Sequence, residues 1–141
     1  MSAKISYLTI FRSKGESGES VTEVNLLKDL GVEGDFHQGG ERQVTILPAE
    51  TRRWLDAQTE RGLCFDRFRE NILIEGSGEI KPGSLLSVGD AVLRISAFVK
   101  PCFDECALAA CGTPCRLSGR AVFATVERGG TVRVGDAVVI S

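Results

Sequence analysis

Four of the chain's five cysteines fall within residues 100–116, KPCFDECALAACGTPCR, at spacings C-x3-C-x4-C-x3-C. Cysteine is ordinarily a small, inert, buried hydrophobe, so this density asks for sulfur chemistry, a metal site or packing as its cause. Tetrahedral zinc sites favour C-x2-C pairs on tight knuckles, and iron–sulfur runs need similarly short gaps. The intervals here are longer, which weakens the cluster reading. A short helix over 104–110, with Asp104 as N-cap and Gly112 past its end, would set Cys102 just before a helix N-terminus. The helix dipole and Lys100 then favour a thiolate at Cys102, while Asp104 and Glu105 oppose it. Cys111, beside Ala109, Ala110 and Gly112, reads as a packing residue, as does Cys64 between Leu63 and Phe65. Cys106 and Cys115 stay open between these roles.

The second group with chemical potential is the glycine-rich stretch at 31–40, GVEGDFHQGG, which holds His37, the single histidine of the chain. One histidine leaves a His-dependent triad only one member and excludes multi-histidine metal sites. A lone histidine is often structural, yet His37 stands close to Asp35 in a loop whose glycines permit close backbone approach to a ligand. Arg42, Arg69 and Asn71 are ordinary surface or turn groups by type, although arginine also suits bidentate phosphate binding. A serine nucleophile elbow, a phosphate-binding GxxxxGK[ST] loop and a dinucleotide GxGxxG are all absent from the sequence.

The elements that must position these groups are short. Residues 5–11 form a β-branched and aromatic run, residues 21–27 alternate imperfectly, and residues 43–47 return to strand character. Residues 48–61 form the best helix: Pro48 suits its first turn, Glu50 complements the dipole and Gly62 can end it. Residues 68–74 read as a strand that carries Arg69, Glu70 and Asn71 at its start. A weak internal repeat follows, in which VGDAVLRIS at 88–96 echoes VGDAVVIS at 134–141, each a Gly-Asp turn feeding a strand. With the run at 122–126 this makes about seven strands against one long helix. The expected fold is mostly β: a single domain over 1–141, built as a partly closed β-barrel with one main helix and a short Cys-rich helix or loop.

Composition narrows the function classes. A chain of 141 residues, 43% hydrophobic and 26% charged, fits one globular unit. Its formal net charge of −2 gives no basic footprint for nucleic acid. No run approaches the roughly 20 apolar residues that span a bilayer, so no membrane partner is expected. The N-terminus, MSAKISYLTIFRSKG, lacks the features of a secretory signal, and five cysteines fit a complete disulfide set poorly. A cytoplasmic protein with reduced thiols is expected.

Taken in order, GVEGDFHQG at 31–39, Arg42-Gln-Val-Thr, Phe68-Arg-Glu-Asn-Ile72, Val88-Gly-Asp90, Pro101-Cys102 and VERGGTVRVGD at 126–136 resemble the MOSC domain family. This domain is found at the C-terminus of molybdenum cofactor sulfurases and in small standalone proteins, and this chain is most similar to the short standalone kind. The resemblance implies a barrel similar to the β-barrel domain of pyruvate kinase. It also implies a role with the molybdenum cofactor (molybdopterin), either binding the pterin-held metal or carrying sulfur as a cysteine persulfide. Cys102 is then the metal ligand or sulfur carrier, and Asp35, His37, Arg42, Arg69, Glu70 and Asn71 are the cofactor-pocket positions. A cysteine desulfurase is the implied sulfur donor; the pyridoxal phosphate of the sulfurase belongs to a separate domain and is not expected on this chain. Two alternatives stand beside this reading: a small molybdenum-dependent reductase of N-hydroxylated compounds, and a zinc-stabilised or purely structural interaction domain.

Overall fold

In the computed structural model, residues 3–13, 18–40, 42–57, 70–76, 80–96 and 121–141 are described. The end of the expected helix at 58–61, Arg69, Cys64 and the whole segment from 97 to 120, with Cys102, Cys106, Cys111 and Cys115, lie outside these residues.

The first strand shows how side-chain pattern sets the barrel wall. In β1 (Ala3–Ile10), Ala3 and Ile5 are buried, and strict alternation would then bury Tyr7. A register shift between Ile5 and Tyr7 inserts one residue, so Leu8 and Ile10 return to the core while Tyr7 faces outward at 47% exposure. In β5 (Val44–Pro48) the first four residues are all buried, as expected of a strand covered on both faces. The cover is α1 (Ala49–Ala57), which follows at once and buries Ala49, Thr51 and Leu55. Helix α1 then leads towards β6 (Ile72–Gly76), which pairs parallel with β5.

The other ring partners are antiparallel. β7 (Leu85–Val88) and β8 (Ala91–Ile95) form a hairpin, β8 pairs with β9 (Val122–Arg128), and β9 pairs with β5. β11 (Ala137–Ile140) pairs with β7 on one side and with the start of β1 on the other. The order β11-β7-β8-β9-β5-β6-β1 therefore closes on itself as a seven-stranded barrel, and β2 (Glu19–Val21) extends β1 beyond the ring. Closure leaves no open edge among these strands. A second, three-stranded sheet is formed by β3 (Glu23–Leu27), β4 (Gly31–Val32) and β10 (Gly130–Arg133). Leu8, Ile46, Ile72, Leu86, Leu93 and Val126 anchor the core, each at 1% exposure or less. Burial of such a side chain contributes about 1.5–3 kcal/mol.

The expected barrel and its main helix are both present, with three differences of detail. The run at 21–27 stands outside the ring, divided between β2 and β3, and the ring's seventh member is β7 instead. β6 begins at Ile72, later than the start expected at 68, of which residues 68 and 69 lie outside the described residues. The internal repeat is present as two turns of different use. Gly89 (φ 56°) closes the β7–β8 hairpin, whereas Gly135 (φ 93°) passes the chain from the small sheet into the barrel. There the Gly135 N–H donates to Ile5 O at 2.7 Å, and the Asp136 carbonyl accepts from the Ile5 N–H at 2.9 Å.

Candidate functional site

The glycine-rich loop starts where Gly31 must pass another backbone. Its φ is +128°, and a Cβ there would stand 2.5 Å from the Gln43 carbonyl oxygen. Only glycine meets both conditions without displacing main chain. Four residues later Asp35 turns inward, 3% exposed, and its carboxylate becomes the hub of the site. Oδ1 accepts from the Phe11 N–H at 2.7 Å and from Asn71 Nδ2 at 2.8 Å. Oδ2 accepts from the His37 N–H at 2.9 Å and lies 3.0 Å from His37 Nδ1. One side chain thus ties the end of β1, the loop and the approach to β6.

Burial by itself raises the Asp35 pKa, but the imidazole of His37, the amides of Phe11 and His37, and Asn71 together hold it below the usual carboxylate value. Asp35 is therefore a buried carboxylate held in its ionised form by the donors around it.

Asn71 is used as completely. Its Nδ2 donates to Thr9 O at 3.1 Å and to Asp35 Oδ1, while its Oδ1 accepts from the Thr45 N–H and Oγ1, both at 3.1 Å. Its own N–H is shared by Thr45 O and Thr45 Oγ1 at 2.9 and 3.0 Å. Among the described residues no buried side-chain polar atom lacks a partner. That degree of satisfaction makes the cluster rigid and costly to disturb.

The loop is fastened a second time by Gln43, which is buried. Its Nε2 donates to Gly40 O at 2.8 Å and its Oε1 accepts from the Val126 N–H at 2.9 Å. Between the two fastenings the loop presents His37, whose side chain is 25% exposed, with its ring stacked on Phe36 at a centroid distance of 3.9 Å. No hydrogen bond reaches His37 Nε2 from the described residues. Gly39 and Gly40 have positive φ, and no described atom lies within 4 Å of where either Cβ would stand. Arg42 places its guanidinium 4.7 Å from the centre of the buried Phe123 ring, a cation–π contact.

Of the residues singled out in the sequence, the structure brings Asp35, His37 and Asn71 into one network. Glu70 is directed elsewhere: it forms a two-pronged ion pair with Arg52 of α1 at 2.8 and 2.6 Å. Arg42 lies on Phe123, and Arg69 and Cys102 are outside the described residues. Gln43 and Thr45 lie in the Arg42-Gln-Val-Thr motif quoted above but were not named as site residues, and Arg52 was not singled out at all. The signal for Thr45 was a polar residue inside an otherwise apolar strand, Val44-Thr45-Ile46-Leu47, where a hydroxyl must find a partner. No group of three or more His, Cys, Asp or Glu side chains able to hold a metal occurs among the described residues.

The closed barrel and this loop define a known family. The MOSC domain model matches residues 33–139, and the chain belongs to that family, which is associated with the molybdenum cofactor. Solved structures share the fold. The YUAD protein from Bacillus subtilis aligns with a TM-score of 0.76 at 22% identity, over 99% of this chain and 96% of its own. YiiM from Geobacillus stearothermophilus gives 0.68 at 19% identity, over 99% and 75% of the two chains. YiiM from Escherichia coli gives 0.65 at 22%, over 100% and 70%. No curated protein sequence matches the chain. Among the described residues no helix is long and apolar enough to cross a membrane.

Proposed function

We propose that this MOSC chain binds the molybdenum cofactor, carries sulfur for it as a persulfide on Cys102, or does both. The observation that carries the reading is the family match over 33–139, which includes Asp35, His37, Asn71 and Cys102. The described residues fit a pterin-bound cofactor in one respect. His37 keeps a quarter of its side chain exposed beside Gly39 and Gly40, and no hydrogen bond reaches its Nε2 from the described residues, so a polar group of a ligand can bond it. When bound, the cofactor supplies a redox-active molybdenum, for which a thiolate is a suitable soft ligand. In this reading Cys102 takes that role, while His37, Arg42 and Arg69 are the polar groups offered to the pterin and its phosphate.

For sulfur delivery the Cys102 thiolate attacks the terminal sulfur of a donor persulfide. A new S–S bond forms at Cys102, the donor's S–S bond breaks, and the donor leaves as a thiolate. No outside oxidant is consumed. The donor proposed is a cysteine desulfurase in the cytoplasm, where thiols stay reduced. Incubation with such an enzyme and free cysteine, followed by peptide mass spectrometry, is expected to show one added sulfur on Cys102 and none in Cys102→Ser. A wild-type chain that never gains sulfur refutes the carrier role.

A further inference from the structure

We infer that Asp35 is a positioning residue which fixes His37 as the tautomer with its proton on Nδ1, so that the bare Nε2 is offered outward to accept an N–H or O–H from a bound ligand. The identity of that ligand rests on the function proposed above; the tautomer does not.

Three observations carry the inference. Asp35 Oδ2 is a carboxylate oxygen 3.0 Å from Nδ1, and an ionised carboxylate can only accept, so the proton of a neutral imidazole must sit on Nδ1. The same oxygen accepts the His37 backbone N–H at 2.9 Å, which fixes the residue at two points and leaves its ring little freedom to turn. Phe36 packs against the ring at 3.9 Å and restrains it further. A histidine whose second nitrogen is held by a carboxylate is how proteins commonly prepare the first nitrogen for a ligand or proton. A purely structural histidine would spend both nitrogens on the protein. Here Nε2 has no hydrogen bond from the described residues, and the side chain keeps a quarter of its surface in solvent.

The carboxylate is itself held by a chain of donors. Asn71 Nδ2 grips the oxygen opposite the histidine, and Thr45 grips Asn71 through both its N–H and its hydroxyl. Thr45 therefore stands third in line from His37: β5 and β6 set the Asn71 amide, the amide sets the carboxylate, and the carboxylate sets the ring.

Because the chain has a single histidine, nitrogen NMR of the imidazole reports His37 without assignment work. The spectrum is recorded on the cofactor-free chain at about pH 9, above the ordinary histidine value of about 6.5. The expected result is protonated Nδ1 and bare Nε2 in the wild type. Thr45→Val, which leaves the carboxylate in place, is expected to lose stability and keep the tautomer. Asp35→Asn, which presents an amide to the ring, is expected to move the proton towards Nε2; if that variant does not fold, the wild type and Thr45→Val decide. Treatment with diethyl pyrocarbonate is expected to add one group at His37 in the folded wild type. A wild-type spectrum with the proton mainly on Nε2, an unmodified His37, or an unchanged tautomer in folded Asp35→Asn overturns the inference. Failure of cofactor binding alone would leave these readings intact and so falls on the proposed function instead.

Discussion

Two parts of the molecule are built from the same materials, glycine and aspartate, and do opposite work. In the Gly135-Asp136 turn, Asp136 Oδ2 accepts from the Arg133 N–H three residues away at 2.8 Å, and no described atom stands near a Cβ at Gly135. In the 31–40 loop, Asp35 reaches Phe11 across 24 residues and Asn71 across 36, and Gly31 presses against the Gln43 backbone. The Asp136 side chain serves only its own turn, whose backbone bonds Ile5 of β1, whereas the Asp35 side chain itself ties the loop to two distant segments and Gln43 fastens it to a third. A local motif can change its sequence cheaply, whereas a loop pinned from a distance is rigid enough to present a side chain in one pose.

The largest test of this contrast is to remove each aspartate. Asp35→Ala strands donors from Phe11, His37 and Asn71 in the interior, and about 3–5 kcal/mol of stability should disappear in urea unfolding. Asp136→Ala should lose about 1 kcal/mol, since water can replace its contact. Equal losses would erase the distinction. The Asp35 effect should also depend on pH. Its folded pKa lies below the unfolded value, so its contribution is complete above about pH 4 and is lost as pH falls through the lower, folded value. The gap between wild type and Asp35→Ala should therefore narrow in acid.

Next in size come the glycines. Gly31→Ala combines a forbidden φ with a backbone collision and should cost about 2–4 kcal/mol, while Gly135→Ala meets only the strain of φ and should cost about 1 kcal/mol. Thermal melts of the two variants measure the difference directly. The smallest contrast lies on α1, where adjacent arginines pair with Glu70 and Glu75. Arg52 and Glu70 have side-chain exposures of 18% and 14%, so Arg52→Ala should cost about 1–2 kcal/mol. Arg53 and Glu75 sit in open solvent, and loss of that pair should be smaller and vanish at high salt.

Much of the architecture was legible in short-range signals. The β-branched runs, a helix starting just after Pro48 and the two Gly-Asp turns depend on neighbours in sequence and are present, Pro48 itself ending β5. What escaped depends on contacts between distant residues. β7 has only four residues, Leu85–Val88, too few to show a period, and becomes a strand because β8 and β11 flank it. Residues 21–27 have strand character, but their imperfect alternation does not say which sheet takes them. At the site, the ordered motifs resembling the MOSC family pointed to Asp35, His37 and Asn71, whose roles then became specific only through geometry. Asn71 shows this best, since its neighbour Glu70 shares the same motif and faces α1 instead. Gln43 and Thr45 lie in the Arg42-Gln-Val-Thr motif but were not singled out as site residues; each matters because a loop or an amide arrives beside it from elsewhere in the chain.

The central claim is that the pinned loop forms part of a molybdenum cofactor site. Equilibrium binding of the isolated cofactor, followed by pterin fluorescence, tests it most directly. The account predicts one cofactor per wild-type chain, affinity weakened about tenfold or more in His37→Ala, equivalent to about 1.4 kcal/mol, and little change in Gly135→Ala. Absence of binding by the wild type, or equal affinity in His37→Ala, would contradict it.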